Sequence, residues 1–400
     1  MKAAPRKVAI LFRYGAGEHV DFLPALPAMV ERLVQQGAEV HHFGFGGGPE
    51  LPLGLKDQLK VHAGPFKVCR ASGWDKHVKA LLWLASLPWL GWKCSREGFD
   101  VVFVDETLPL SAPLLRLGYR GSLMFTIHDF FMEIYWGKNF WLRYPGRWVQ
   151  KIDLSAWKKL DRIFTRVEAA KVHLQGKGVD ANRISVVPDP VDLTLFSPLE
   201  NQQVRKNFRE AWGMKEEDLV MVHHGIMHPN KGNLRLIEAM VALREDFPQL
   251  KLLLIGDGPE MKDLREAVKA LHLETCVILT GWLPGMKDIA VALQSADIGL
   301  VMRKGIPGDH FHVTSTLVHN LACGLPVLAA RLDGIAEVLD GSRAGEMFDP
   351  ACGESFQEKL TVLIEDPDRR KEMGAEARRL AERLFDPERI AAAYVEAMGK

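Results

Sequence analysis

"HHGIMHPNKG", His223 to Gly232, sits between two unlike stretches. The apolar run "DLVMV" comes before it, and "NLRLIEAMVALREDF", with apolar residues at helical spacing, comes after. The pattern places a loop with one Lys and a closing Gly where a strand hands over to a helix. In doubly wound sheets such loops, at the carboxyl ends of strands, are where ligands bind. The question is what anion Lys231 meets there.

The same alternation extends in both directions. Upstream, "KVAILF", "AEVHHF", "DVVFV", "SLMFTI", "DRIFT" and "RISVVP" read as strands. "DFLPALPAMVERLVQQG" reads as one helix closed by Gly37, and Glu168 to Gly176 as another. The rhythm breaks at "PDPVDLTLFSPLENQQ", where prolines and polar residues gather. It then restarts with "LVMVH", "KLLLIG", "CVILTG", "ADIGLVM" and "LPVLAA". The fold class is α/β: two Rossmann-like doubly wound domains, 1–195 and 196–385, with a ligand cleft between them. A last helix, 386–400, has Asp386 as N-cap and Pro387 at its first position. Its stripe of Ile390, Tyr394 and Met398 is expected to pack back on the first domain.

Composition narrows the function. Lys+Arg and Asp+Glu both number 51, so no overall field favours nucleic acid or another polyanion. The five cysteines, Cys69, Cys94, Cys276, Cys323 and Cys352, are scattered without a Cys-x-x-Cys. They read as reduced thiols of a cytoplasmic protein. "VAILF" is too short for the core of a secretory leader. "ALLWLASLPWLGW", Ala80 to Trp92, is shorter than the roughly 20 residues that span a bilayer, and Pro88 interrupts it.

Nicotinamide binding is disfavoured. After the first strand, Gly15 and Gly17 make Gly-x-Gly, but Val20 holds the third glycine position and no acid ends the second strand. "IGDGPEMK" shares the defect, with Met261 in third place, and no Walker P-loop occurs. Gly15, Gly17, Gly256 and Gly258 either admit a ligand close to the backbone or make tight turns.

"GIMHPNKG", "LLLIGDGPEMKDL", "VILTGWLP", "SADIGLV" and "LACGLPVLAARLDGIAEVLDGSRAG", in this order, resemble the C-terminal domain of the retaining, family-4 type glycosyltransferases of the GT-B fold. "VVPDPVDLTLFSP" resembles the segment before that domain. The resemblance is good from Ile184 to Gly345; the N-terminal half shares only the general layout. It implies a hexosyltransferase, active in polysaccharide biosynthesis, that moves a sugar with retention from a nucleoside diphosphate sugar. The implied acceptor is a saccharide or a lipid-linked saccharide. No cofactor and no metal are implied.

The resemblance also assigns residues. Lys231, in the loop opened by Gly225, would contact the donor diphosphate. A fixed ammonium there stabilises the charge that grows on the leaving group. Ile226 stands where the family has an Arg, so Arg303, with Lys304, is a candidate second cation. Phe311 and His319 replace the two family glutamates, the second of which binds ribose hydroxyls. His319 can still hydrogen-bond a hydroxyl. Asp309, His310 and His312, in a loop longer than usual, are candidates to take over the glutamates' work. A metal held by His310, His312 and His319 is a sharper and rarer reading. Gly334 and Glu337 map onto a phosphate-holding turn, and Trp282 lies in the loop that cradles the nucleobase. In "TIHDFF", His128, followed by Asp129, would stand near the transferred sugar; alone it would read as a core histidine.

Eight of the ten tryptophans lie between Trp74 and Trp157: Trp74, Trp83, Trp89, Trp92, Trp136, Trp141, Trp148 and Trp157. Lys138, Arg143, Arg147, Lys151, Lys158, Lys159 and Arg162 accompany the later ones. Aromatics with cations suit a membrane surface, which would make the protein peripheral on the inner face of the cell membrane. Equally, these rings fill the N-terminal core and its acceptor pocket. Three rivals remain: a degenerate binding protein on the same fold, a sugar-nucleotide epimerase or hydrolase, and a dehydrogenase.

Overall fold

The structure, a computed structural model, describes residues 7–69, 73, 75–106, 108–128, 130 and 140–399. Trp74, Asp129, Trp136 and Lys138 lie outside the described residues, as do the side chains of Trp141 and Arg143. The chain forms two compact units, Met1–Pro190 with Pro387–Lys400, and Val191–Asp386.

The first unit is built on seven strands: β1 (Lys7–Leu11), β2 (Glu39–Gly46), β3 (Leu59–Lys67), β4 (Val101–Val104), β5 (Ser122–Thr126), β6 (Arg162–Thr165) and β7 (Ile184–Val186). Their order is β3-β2-β1-β4-β5-β6-β7, with every pairing parallel. Parallel strands covered on both faces need continuous apolar runs. All four residues of "VVFV" in β4 are buried accordingly. The second unit has six strands: β8 (Leu219–His224), β9 (Leu250–Ile255), β10 (Val277–Gly281), β11 (Ile298–Val301), β12 (Val327–Ala330) and β13 (Gly345–Phe348). Their order is β10-β9-β8-β11-β12-β13, again parallel throughout. In each sheet the strand order reverses beside the first strand, between β1 and β4 and between β8 and β11. That is the switch point where such sheets leave a crevice.

Two strands escape the sequence reading, and both are edges. "LKVHAGPFK" (β3) carries polar residues, a Gly and a Pro, which an edge strand tolerates because one side needs no partner. "GEMF" (β13) buries only Phe348. The single helix expected from Asp21 is two, Ala16–Phe22 and Leu26–Gln35. Pro24 has no N–H to continue the first, and Pro27 suits the opening turn of the second.

The helix Pro387–Met398 belongs to the first unit. Ile390, Ala391, Tyr394, Val395 and Met398 lie in one core with Leu26, Met29, Val30, Leu33, Phe103 and Phe164. The Tyr394 ring sits 4.7 Å from Phe164 and 5.5 Å from Phe103. The first boundary falls at Pro190/Val191, ahead of residue 195, for a clear reason. The Val191 N–H donates to Phe385 O at 3.0 Å, which ties 191 into the second unit.

Candidate active site

In the second unit, β8 ends in two buried histidines, His223 and His224, and the chain turns through Gly225 to Lys231 and Gly232. This loop lies against the one after β11: Lys304 N–H donates to Asn230 O at 3.3 Å, and a Cβ on Gly232 would meet the Met302 side chain at 3.2 Å. Arg303 is buried, and its guanidinium meets Asp309 at 3.2 Å. Asp309 also accepts from Ile306 N–H at 3.1 Å. Half-buried Lys231 and buried Arg303 share one neighbourhood with His223 and His312. Burial first, and then the charges of Lys231 and Arg303, hold His223 down at about 4 and His312 at about 3. A hydrogen bond to Leu300 O partly offsets this for His223. Both imidazoles are therefore neutral near pH 7, and the positive charge of the pocket resides on Lys231 and Arg303. Lys231 and Arg303, on the loops after β8 and β11, thus both act on these histidines, with Asp309 offsetting part of the charge on Arg303.

His319 is placed differently from a carboxylate at its position. Its ring stacks on Phe196 at 4.0 Å and 9° and on His224 at 5.1 Å and 10°. Burial pushes it down to about 3, so it is neutral. Its buried Nδ1 has no hydrogen-bond partner. Trp282, after β10, is 60% exposed, leaving an open ring face. Gly334 is buried in the short helix Asp333–Leu339, whereas Glu337 faces outward. His310 leans on Asp333 at 3.1 Å.

The candidate glycines have a packing role. A Cβ on Gly256 would stand 2.0 Å from Gly225 O, and one on Gly258 would stand 2.3 Å from Met227 O. In the first unit, Gly15 and Gly17 would each meet backbone oxygen at 2.0 Å, at Gly47 and Pro49. All four let the loops after neighbouring strands press together, which is a stronger demand than a tight turn.

In the first unit, β5 runs out at His128, which is part of a buried chain of polar groups. Its Nε2 lies 3.2 Å from Asp105 Oδ1, and Arg166 donates to its Nδ1 at 3.3 Å. A guanidinium only donates, so Nδ1 accepts and Nε2 carries the proton given to Asp105. His19 Nε2 lies 3.1 Å from Asp105 Oδ2, and His19 Nδ1 lies 3.1 Å from His42 Nε2. Asp105 is fully buried. Burial alone would raise its carboxyl. Hydrogen bonds from His128 and His19, with the charge of Arg166, hold it well below the usual carboxylate range. Arg166 continues the chain to Asp189 at 2.7 Å and to the Tyr394 hydroxyl at 2.5 Å. Beside Asp105, Glu106 pairs with Arg13 at 2.8 Å, and burial pushes its carboxyl up to about 7.

Asp105, Glu106, His19, Arg13 and Arg166 were missed in the sequence. The available signal was "VDE", two acids directly after a buried strand at the switch point. For His128 the consequence is chemical. Both its ring nitrogens are engaged within the protein, so it stands as an oriented neutral imidazole and not as a free base.

Two doubly wound units with a cation pocket at one switch point define the class, a GT-B sugar transferase. The chain belongs to the glycosyltransferases: residues 28–195 match Glycosyltransferase Family 4, and residues 204–380 match Glycosyl transferases group 1. It is 25% identical over 375 residues to N-acetyl-alpha-D-glucosaminyl L-malate synthase of Bacillus anthracis, covering 91% of this chain and 90% of that one. It is 26% identical over 362 residues, 87% of each chain, to the UDP-Gal:alpha-D-GlcNAc-diphosphoundecaprenol alpha-1,3-galactosyltransferase of Escherichia coli. Anabaena HepE in complex with UDP and glucose shares the fold, with TM-score 0.73, 17% identity and 98% of each chain covered. The protein transfers a sugar from a nucleotide sugar.

Proposed function

We propose that the protein moves a hexose, with retention of configuration, from a nucleoside diphosphate sugar to a saccharide or lipid-linked saccharide. The observation that carries this reading is that the loops after β8 and β11 lie side by side, with Lys231 on one and Arg303 on the other, both acting on the neutral His223 and His312. Breaking the glycosidic bond adds a negative charge to a diphosphate that already carries one on each phosphate. Cations already in place stabilise that state more than the bound donor. Asp309 holds the Arg303 guanidinium, so no reorganisation is needed as the charge appears. For retention, the acceptor oxygen attacks the face the diphosphate leaves, and a departing phosphate oxygen takes the acceptor's proton. His128, held as a neutral ring by Asp105 and Arg166, offers a fixed surface to the sugar without competing for that proton. The reading puts this work in the cytoplasm, in keeping with five thiols that form no disulfide. The relatives support the acceptor class, since one is named for a diphosphoundecaprenol-linked sugar.

The test is thermal stabilisation by UDP, GDP, ADP and dTDP and their hexose conjugates, for wild type and Lys231→Ala. One nucleotide should raise the wild-type melting temperature. The variant should lose that shift and about a hundredfold in kcat/KM. An equal shift in both proteins would remove Lys231 from the diphosphate site. The anomeric configuration of the product, read by NMR, decides retention.

A further inference from the structure

The helix Lys76–Arg96 has two apolar faces, and only one is covered. Trp83, Leu87, Leu90 and Cys94 are buried against the sheet side. Val78, Leu81, Ala85, Trp89, Trp92 and Arg96 are exposed. At helical spacing these six fall in a stripe roughly 80° wide, opposite the buried face. The helix packs on Ser111–Gly118, and that one on Phe140–Trp157. These neighbours add exposed Leu117, Trp148 and Ile152. Of the sixteen exposed large hydrophobic side chains among the described residues, seven lie on these three helices. Trp89, Trp92 and Trp148 are 55%, 50% and 67% exposed. An aromatic surface on this scale is not what a free, water-facing helix layer presents.

Charge says what covers it. The three helices carry eight cations, Lys76, Lys79, Lys93, Arg96, Arg116, Arg143, Arg147 and Lys151, and one acid, Asp153; of the cations, Lys79 is buried and Arg116 pairs with Asp161. Asp153 is buried and accepts from Leu110 N–H at 2.8 Å. This imbalance occurs in a chain whose net charge is zero. Three of the cations stand on the aromatic rims: Lys93 lies 5.4 Å from the Trp89 ring, Arg96 5.2 Å from Trp92 and Lys151 5.4 Å from Trp148. Among the described residues no helix is long and apolar enough to cross a membrane, so this layer would lie on one.

We propose that the outer face of the helices Lys76–Arg96, Ser111–Gly118 and Phe140–Trp157 docks on a bilayer rich in anionic lipid. Val78, Leu81, Trp89, Trp92 and Trp148 enter the interface while Lys93, Arg96 and Lys151 meet the headgroups. The inference gives the lipid-linked acceptor reading its place of work, but its geometry stands without that reading.

The test is co-sedimentation of the full chain with phosphatidylglycerol/phosphatidylcholine vesicles and with phosphatidylcholine alone, at low and high salt. Wild type should bind the anionic vesicles and release them with salt. Trp89→Ser/Trp92→Ser should weaken partition about tenfold or more. Arg96→Glu/Lys151→Glu should do so by at least about fivefold per reversed charge. All three proteins should keep the same melting temperature and nucleotide shift, because the altered side chains are exposed. Absence of wild-type binding, or binding indifferent to both variants, overturns the proposal. A wild-type dimer that the Trp variant dissolves, with no vesicle binding, assigns the face to a second copy and overturns it too. Vesicle binding without any nucleotide shift would instead sink the donor reading and leave this face intact.

Discussion

Asp105 is the residue on which most of the first unit's polar geometry depends. It accepts hydrogen bonds from two imidazoles that are themselves fixed by His42 and Arg166. Asp105→Asn would turn an NH2 toward one of these N–H donors. His128 cannot answer by moving its proton to Nδ1, because Arg166 already donates there. We expect a loss of about 3 kcal/mol in denaturant unfolding, from breaking a buried charge network. The imidazole nitrogen shifts of His128 should report a weakened Nε2–H bond with the tautomer unchanged. Glu106 gives a pH signature. Its folded carboxyl titrates at about 7 because burial raises it, against roughly 4.3 in the unfolded chain. Between these values the folded chain holds a proton that the unfolded chain has released. Stability therefore falls as pH rises through that window, by up to about 1.4 kcal/mol per pH unit, and flattens above it. Urea unfolding of wild type minus Glu106→Gln, from pH 5 to pH 8, should isolate this slope. A flat difference would show that Arg13 keeps the carboxylate charged throughout.

The elements around the sites are held by backbone contact, and the glycines show it. Gly256 combines φ +126° with a Cβ position 2.0 Å from Gly225 O. Gly256→Ala should cost about 2–4 kcal/mol in chemical denaturation, by strain and by pushing the β8 and β9 loops apart. Gly176→Ala is the control. Nothing lies within 4 Å of its added carbon, and it sits in the last turn of Glu168–Gly176. It should be neutral or stabilising by up to about 1 kcal/mol. The "GIMHPNKG" loop was legible because a strand, a turn and a helix each leave a local pattern. The edge strands β3 and β13 were not, because an edge is half exposed and its composition reflects that. Pro24 and Pro27 were visible; that they separate two helices depends on how the first turns against β2.

The two units differ in how they are completed. The first sheet needs a segment from the far end of the chain. Tyr394 packs on Phe103 and Phe164 and bonds Arg166, which itself holds His128. Ending the chain before Pro387 would strip this cover from Leu26, Met29 and Leu33. The truncated protein should lose the first unit's cooperative transition and become protease-sensitive there, while the second unit keeps its nucleotide shift. Limited proteolysis with mass spectrometry would read both. Retention of a native first unit would show that the helix is dispensable.

By itself, the sequence determined two parallel α/β domains and the hand-over from strand to helix through the loop that carries Lys231. Each is a local pattern of apolar period, turn residue and cap, and local patterns survive in one dimension. Only the tertiary structure decided which groups meet. It joined His19, His42, Asp105, His128 and Arg166 across five strands, turned His319 into a ring stacked on Phe196 and His224, and paired Arg303 with Asp309. It also divided the tryptophans, burying Trp83 while leaving Trp89, Trp92 and Trp148 exposed. Such groupings arise from strand order and helix rotation, which bring together residues tens of positions apart, and no periodicity along the chain records them.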